Sequence, residues 1–336
     1  TRQYNLGFEL GLFNNRIRLE GDFYDSQSID LLLNVPVPTI TGYSTQMQNI
    51  GKVQNRGMEF TLNTKNLTGE FAWSSNFNIS FNKNKVLEVG VDGRPIYGSA
   101  ANANNAFITK PGYPIASFYG YKYIGVFQSE EELAKYPHLS GDKVGDGRYE
   151  DVNKDGVLDQ NDKTILGDNN PLFTAGFSNS FSYKNFTLDI QFTGSYGAEV
   201  FSFYKRMCGI YHGDRNGMIE QLGRWQSKDQ PGDGIHFRPT RTPSGWQRDP
   251  SSAWVQDASY LRLRNLTLGY NFDQKVLDKM KMKGLRLYVT GQNLFTITNY
   301  VGYDPETSSE SGLAQGGDYL GYPAARSFII GANITF

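Results

Sequence analysis

The last twelve residues, Ala325 to Phe336, alternate between apolar and polar side chains almost without a break. Phe328, Ile330, Ala332, Ile334 and Phe336 fall on one face. Ser327, Ile329, Gly331, Asn333 and Thr335 fall on the other, with Ile329 the one apolar exception. A period of two means a strand, because successive side chains point to opposite sides of the backbone. A strand that is apolar on one side, polar on the other and ends on an aromatic suits a wall with lipid outside and water inside.

The same pattern recurs along the chain. Tyr4, Leu6, Phe8, Leu10 and Leu12 oppose Asn5, Gly7, Glu9 and Gly11, and Asn14-Asn15 then turns the chain, since Asn tolerates positive φ. Ile17, Leu19, Gly21 and Phe23 oppose Arg16, Arg18, Glu20 and Asp22. Met58, Phe60 and Leu62 oppose Gly57, Glu59, Thr61 and Asn63. Phe71, Trp73, Ser75, Phe77, Ile79 and Phe81 oppose Ser74, Asn76, Asn78, Ser80 and Asn82. Phe173, Ala175, Phe177, Asn179, Phe181 and Tyr183 oppose a row of Thr, Gly and Ser. After Lys184-Asn185, Phe186, Leu188, Ile190, Phe192 and Tyr196 oppose Thr187, Asp189, Gln191, Thr193 and Ser195. Leu266, Leu268, Tyr270 and Phe272, then Leu285, Leu287 and Val289, complete the series before the final strand.

These strands run to about 10 residues, against a usual length of about five or six. Their connections alternate. Short ones fall near residues 14, 67, 184 and 273–283; long ones cover about 28–52, 86–171, 199–258 and 296–324. Short turns at one rim and long loops at the other favour an all-β fold, a transmembrane antiparallel β-barrel with long extracellular loops, over a soluble sandwich. The count of about nine strands is odd, whereas bacterial single-chain barrels are usually even. Residues 1–336 therefore read as the C-terminal portion of a larger barrel, whose end strands pair with polypeptide outside this sequence. Phe336 would lie at the periplasmic rim, with the long loops outside the cell.

Composition excludes several alternatives. No stretch approaches the roughly 20 apolar residues of a spanning helix, yet Tyr and Phe number 21 and 22. A barrel hides from hydropathy windows because every second residue faces water. The net charge of -1 offers no basic field for nucleic acid. Cys208 is the single cysteine, so no internal disulfide can form. No secretory signal opens the chain.

One stretch carries metal chemistry. Asp151 to Asp162 reads DVNKDGVLDQND, matching the opening D-x-[DN]-x-[DN]-G of an EF-hand calcium loop. Asp151, Asn153 and Asp155 would offer side-chain oxygens and Val157 its carbonyl, while Asp159 would act directly or through water. Gly156 permits the sharp turn. Asp162 stands where a bidentate Glu is usual, and its shorter reach would weaken the site. The alternative is a solvated acidic turn. On the calcium reading, residues 141–168 form an EF-hand-like loop within an extracellular loop, and the ion is structural.

Enzyme chemistry finds little footing. His138, His212 and His236 show no metal-ligand spacing, and no nucleophile elbow or phosphate-binding glycine motif occurs. Arg18, Glu20, Asp22, Glu59, Asp189 and Arg286 would face the lumen, as is normal for a water-filled or plugged barrel. The 199–258 loop is the candidate for ligand or partner contact. Tyr204, Tyr211, Trp225, Trp246 and Trp254 lie there among Arg215, Arg224, Arg238 and Arg241. Aromatic platforms beside polar groups suit sugars or peptides; the alternative is that these rings pack the loop upon itself. The 275–283 segment reads as a long turn, with a short helix as an option.

Several separate stretches, in order, resemble one family. NIGKVQNRGMEF, Asn49 to Phe60, resembles a strand entry of the form G-x-v-x-N-x-G-x-E. GYPIASFYGYKYIGVFQ, Gly112 to Gln128, the GDGRYEDVNKDGVLDQNDKTILG stretch ending at Gly167, WVQDASYLRLRNLTLGYNF, LRLYVTGQNLFTITNYVGYDPE and the closing ARSFIIGANITF are similar to successive segments of the SusC-like TonB-dependent transporters of Bacteroidota. That resemblance implies the C-terminal part of a 22-stranded outer-membrane barrel around an N-terminal plug. It implies import of glycan or peptide fragments driven by the TonB complex, with a SusD-like surface lipoprotein as lid. Adhesion, scaffolding or protein secretion without nutrient transport are the alternatives.

Overall fold

The computed structural model describes residues 1–36, 40, 42–43, 45–89, 93–100, 103–209, 216–240, 249–307 and 311–336. Four long strands come first: β1 (Arg2–Leu12), β2 (Ile17–Pro36), β3 (Thr45–Thr68) and β4 (Phe71–Glu88). A long excursion follows, with β5 (Ile96–Ala100), β6 (Ala103–Thr109), β7 (Ser117–Gly120), β8 (Tyr123–Val126), helix α1 (Glu130–Lys135), β9 (Gly147–Tyr149) and β10 (Thr164–Gly167). The chain returns through β11 (Phe173–Tyr183) and β12 (Phe186–Tyr196). It leaves again through β13 (Glu199–Ser202), helix α2 (Phe203–Gly209) and β14 (Val255–Asp257). It then continues as β15 (Tyr260–Asn271), helix α3 (Gln274–Met280), β16 (Gly284–Thr298), β17 (Gly317–Asp318) and β18 (Ser327–Thr335).

Nine of these strands form one antiparallel sheet in the order β1-β2-β3-β4-β11-β12-β15-β16-β18, the same nine that the alternation marks. Neighbours in the sheet are neighbours in the series of long strands, so the wall is a meander. Its tight turns pass through the left-handed region at Phe13, Asn14 and Asn15 between β1 and β2, and at Lys184 between β11 and β12; of these, Asn is the type that accepts it readily. The connection from β15 to β16 is the longest at this rim and carries α3. Lys281 closes that helix with a left-handed φ, and its amide donates to the carbonyls of Asp278 and Leu277.

The two faces of the sheet differ as the alternation requires. Leu6, Phe8, Phe77, Phe177, Phe186, Leu268, Val289, Phe328 and Ile330 are exposed on one face, with Ile330 at 84%. A continuous apolar band on this scale is an interaction surface, and on a meander of long strands its partner is lipid. Aromatic pairs border it. Phe71, Trp73 and Phe181 stack near the tight turns, and Phe186, Tyr270 and Phe272 meet there edge to face. Phe81, Phe173 and Tyr196 pair near the long loops. Such rows mark the two interfaces of the hydrocarbon layer.

The other face is polar and bonded to itself. The Nε of Arg18 lies 2.7 Å from Glu20 and 3.1 Å from Glu9. Asn76 donates to Asn63 at 2.7 Å, and Ser180 to Asp189 at 2.7 Å. Arg286 lies 3.9 Å from Asp189. Asn179 departs from the pattern: it sits in the apolar row, where its Oδ1 accepts from the Trp73 indole at 2.9 Å and from the Ser75 hydroxyl at 2.7 Å. A polar group facing lipid is tolerated when its bonds are made internally.

The first long connection is largely paired strand. Residues 28–52 read as a loop in the sequence, but β2 runs on to Pro36 and β3 begins at Thr45, with Leu31 opposite Gly51 and Val35 opposite Gln46. The hairpin therefore projects beyond the apolar band. Its phase is broken by register shifts around Leu31 and by Asp30 at positive φ, which hides the continuation from a strict period-two reading.

The remaining long connections fold together into a cap. β10-β7-β6-β5 form one small sheet, β14-β13-β17 a second and β8-β9 a third. β13 and β17 pair in parallel although they come from different loops. Phe107, Phe118, Phe201, Phe203, Phe237 and Trp254 form the cap's core; the first four rings contact one another and Phe237 contacts Trp254, with centroids 5.2 to 6.5 Å apart. Burying these side chains contributes about 1.5–3 kcal/mol each. The cap has its own hydrophobic core, and a smaller cluster of Val53, Val86, Val89 and Ile96 packs it onto β3 and β4.

Candidate functional site

The acidic loop within the cap has a defined geometry. Asp151 accepts from the amides of Lys154 at 2.7 Å and Gly156 at 2.9 Å. Asn153 accepts from the Asp155 amide, and Asp155 from the Val157 amide, both at 2.9 Å. Each residue at the first, third and fifth positions thus folds its side chain inward over the backbone that follows. Gly156 supplies the positive φ of the turn. Asp159 starts a short 3-10 turn (Gln160–Asp162) in a reciprocal capping box. Asp162 is fully buried and closes the loop on itself. One of its oxygens accepts from the Val152 amide at 2.9 Å, the other from the Asp159 amide at 2.8 Å. The residue in place of the usual Glu is therefore the stitch joining the two ends. Among the described residues, no three His, Cys, Asp or Glu side chains converge as a metal-holding group.

The loop is tied to the rest of the cap through Tyr121. The Lys163 ammonium sits 5.0 Å from the Tyr121 ring centroid. The Tyr121 amide donates to the Pro250 carbonyl at 2.9 Å, and its carbonyl accepts from Ser252 at 3.0 Å. The second and third long connections are thus joined by backbone hydrogen bonds. Gly120 faces the Pro250 carbonyl so closely that a Cβ there would collide with it.

The loop aromatics separate into two groups. Trp254 is 2% exposed inside the cap core, with Phe237 at 6.1 Å, so its ring packs the cap. Trp225 is half-buried over Gly145, where a side chain would meet its indole. Tyr204 lies on α2, and its ring is 6.1 Å from that of Tyr303. Tyr211 and Trp246, with His212, Arg215 and Arg241, lie outside the described residues. His138 bonds the Tyr136 carbonyl and His236 bonds Asp233 at 2.6 Å; the two rings have separate partners.

The structure adds residues that the sequence reading did not single out. Tyr303, Tyr319 and Tyr322 are exposed on the 299–326 loop, Tyr322 at 99%. The base of this loop is fixed to the polar face of the wall. Arg262 is 2% exposed on β15; its guanidinium donates to Asp304 at 2.6 Å, to Glu306 and to Thr296 at 2.8 Å. Arg264 reaches Glu306 at 2.8 Å. Burial alone would raise the Asp304 pKa, but the amides of Ala324 and Glu306 and the Arg262 guanidinium outweigh it and hold it below the usual carboxylate range. A register shift between Leu263 and Asn265 lets Arg262 and Arg264 both reach Glu306. Its signal in the sequence is the step of three between Leu263 and Leu266, where a regular strand steps by two.

A nine-stranded meander with a lipid-facing band, a polar inner face and a folded cap over one rim defines a segment of a membrane barrel wall. Residues 1–294 match the family described as "TonB dependent receptor-like, beta-barrel", and the chain belongs to that family of outer-membrane proteins. It is 36% identical over its whole length to TonB-dependent receptor P3 of Formosa agariphila, of which it covers 34%. It is 29% identical over its whole length to TonB-dependent receptor SusC of Bacteroides thetaiotaomicron, covering 32% of that receptor. The solved RagAB peptide transporter superposes with a TM-score of 0.81 at 24% identity, over 99% of this chain and 35% of that one. The chain thus spans about a third of the length of the relatives it matches.

Proposed function

We propose that this chain is the C-terminal wall and outer cap of a TonB-dependent importer of SusC type. The observation that carries the proposal is the joining of a lipid-facing wall to a folded cap that presents Tyr303, Tyr319 and Tyr322 in the open. Both outer edges of the sheet, at β1 and β18, hold backbone groups that lipid does not satisfy. Further strands close the barrel, in a 22-stranded ring on the family pattern. The long-loop rim faces the medium and the tight turns face the periplasm. A glycan or peptide fragment is captured against the cap beneath a SusD-like surface lipoprotein. It then passes along the polar inner face when TonB displaces the plug. The chain binds and conducts; none of its residues is assigned a catalytic step.

Calcium at 151–162 belongs to this proposal. The donors offered by Asp151, Asn153, Asp155 and the Val157 carbonyl are all oxygen, which suits a hard divalent cation. With Asp162 closing the loop, the ion would rigidify the turn and, through Lys163 and Tyr121, its junction with the 249–254 segment.

Extraction of the full-length protein from outer membranes in mild detergent, with mass spectrometry of its partners, tests the reading. A stoichiometric surface lipoprotein supports it. Recovery of the barrel with secretion or adhesion components in place of a lipoprotein contradicts it.

A further inference from the structure

We propose that the outer wall holds a binding site for a phosphate-bearing lipid headgroup at the long-loop rim. This rests on the orientation given above, in which that rim meets the outer leaflet. Arg56 on β3 and Lys83 and Lys85 on β4 line a cavity of about 690 Å³ together with Phe23, Met58 and Phe81. Arg56 pairs directly with Lys83 across the sheet, and Gln54 with Lys85, while Met58 pairs with Phe81. With an alternation of two, all six residues lie in the same outward-facing rows as the apolar band. Arg56 and Lys83 therefore stand one step, and Lys85 two steps, beyond Met58 and Phe81 on their rows, where long basic side chains reach the headgroup layer from an apolar base.

The cations outnumber the carboxylates beside them. Arg56, Lys83 and Lys85 are exposed, and none is in an ion pair among the described residues. The Arg56 guanidinium lies 5.2 Å from the Phe23 ring centroid, which holds it over the apolar floor. Two carboxylates are near; each accepts from a neutral amide and keeps its charge, so the three cations exceed them by one. Asp25, opposite Arg56 in register, accepts from Gln54 at 2.8 Å. Asp168, which lines the cavity, accepts from the Asn170 amide at 2.9 Å. Leu172, Pro171 and Pro114 close the cavity on the cap side. Three cations above an apolar floor that continues into the lipid-facing band fit an anionic group carried on acyl chains. A free anion would use the cations and leave the floor idle.

The test uses the full-length protein in mild detergent and native mass spectrometry with three probes: monophosphorylated lipid A, the same lipid without its phosphate, and inorganic phosphate. The phosphorylated lipid should bind at least about tenfold more tightly than the dephosphorylated form. The triple variant Arg56→Gln, Lys83→Gln, Lys85→Gln should lose that margin. A triple Gln variant at Lys279, Lys281 and Lys283, at the opposite rim, should keep it. Equal binding of the two lipids, an unaffected first variant, or displacement of the lipid by equimolar inorganic phosphate would overturn the assignment. Labelling of Tyr322→Cys on intact cells reads the orientation separately, so failure of the orientation is distinguishable from failure of the lipid site.

Discussion

Arg262 on the barrel wall and Asp304 on the last long loop meet at 2.6 Å, and both are buried. The loop that presents Tyr303 and Tyr322 is therefore anchored to the polar face of the wall by a shielded charge pair. Removing one partner of such a pair leaves the other uncompensated, which costs about 3–5 kcal/mol. Arg262→Ala should accordingly release the 299–326 loop, read as faster hydrogen exchange there, with exchange in β11 and β12 unchanged. Exchange equal to wild type in the loop would show that the pair does not hold it.

The same pair gives a pH dependence. Asp304 is held below its unfolded pKa, so its contribution is complete above the unfolded value and is lost as pH falls through the folded one. Exchange of the 299–326 loop should rise on acidification below the ordinary carboxylate range. In Asp304→Asn that added rise should be absent.

The wall's two faces predict opposite tolerance to charge. Ile330→Lys places an ammonium in the lipid-facing band and should cost about 2–4 kcal/mol near the midplane. Asn333→Lys on the polar face should cost little. Unfolding of the two variants by denaturant in lipid vesicles measures the difference. Equal loss would mean that the assigned faces are wrong.

Much of this arrangement is legible in the sequence. Nine strands, their faces and the four short connections follow from alternation and from residues such as Asn14, Asn15 and Lys184. The extension of β2 and β3 is not, because register shifts near Leu31 break the period. The cap's small sheets are hidden for a related reason: β13 and β17 pair across more than a hundred residues, and neither is long enough to show a period. Trp254 and Tyr204 look alike in the sequence, yet one is enclosed by Phe237 and the other reaches Tyr303. Burial of an aromatic in a loop is decided by distant partners. The Arg262 anchor has a faint trace in the step from Leu263 to Leu266, but its carboxylates lie about forty residues away.

The cap is predicted to act as a unit. Gly120→Ala drives a methyl group into the Pro250 carbonyl; overpacking of this kind costs about 1–3 kcal/mol. Limited proteolysis should then cut both the 103–170 and the 216–258 stretches faster, while the wall stays resistant. Cutting of one stretch alone would show that the two connections fold independently.

Calcium is predicted to guard the same region. Asp151→Ala with Asp155→Ala, or chelation of the wild type, should raise protease sensitivity within 86–171. Identical cleavage with and without chelator would remove the ion from the account.

The most direct test of the importer reading is nutrient depletion by living cells. Cells with and without the gene would be given defined mixtures of oligopeptides and of oligosaccharides, and the medium followed by mass spectrometry. The account predicts that one class is consumed more slowly without the gene and recovers on complementation with wild type. Consumption of both mixtures at the wild-type rate in the deleted cells would contradict it.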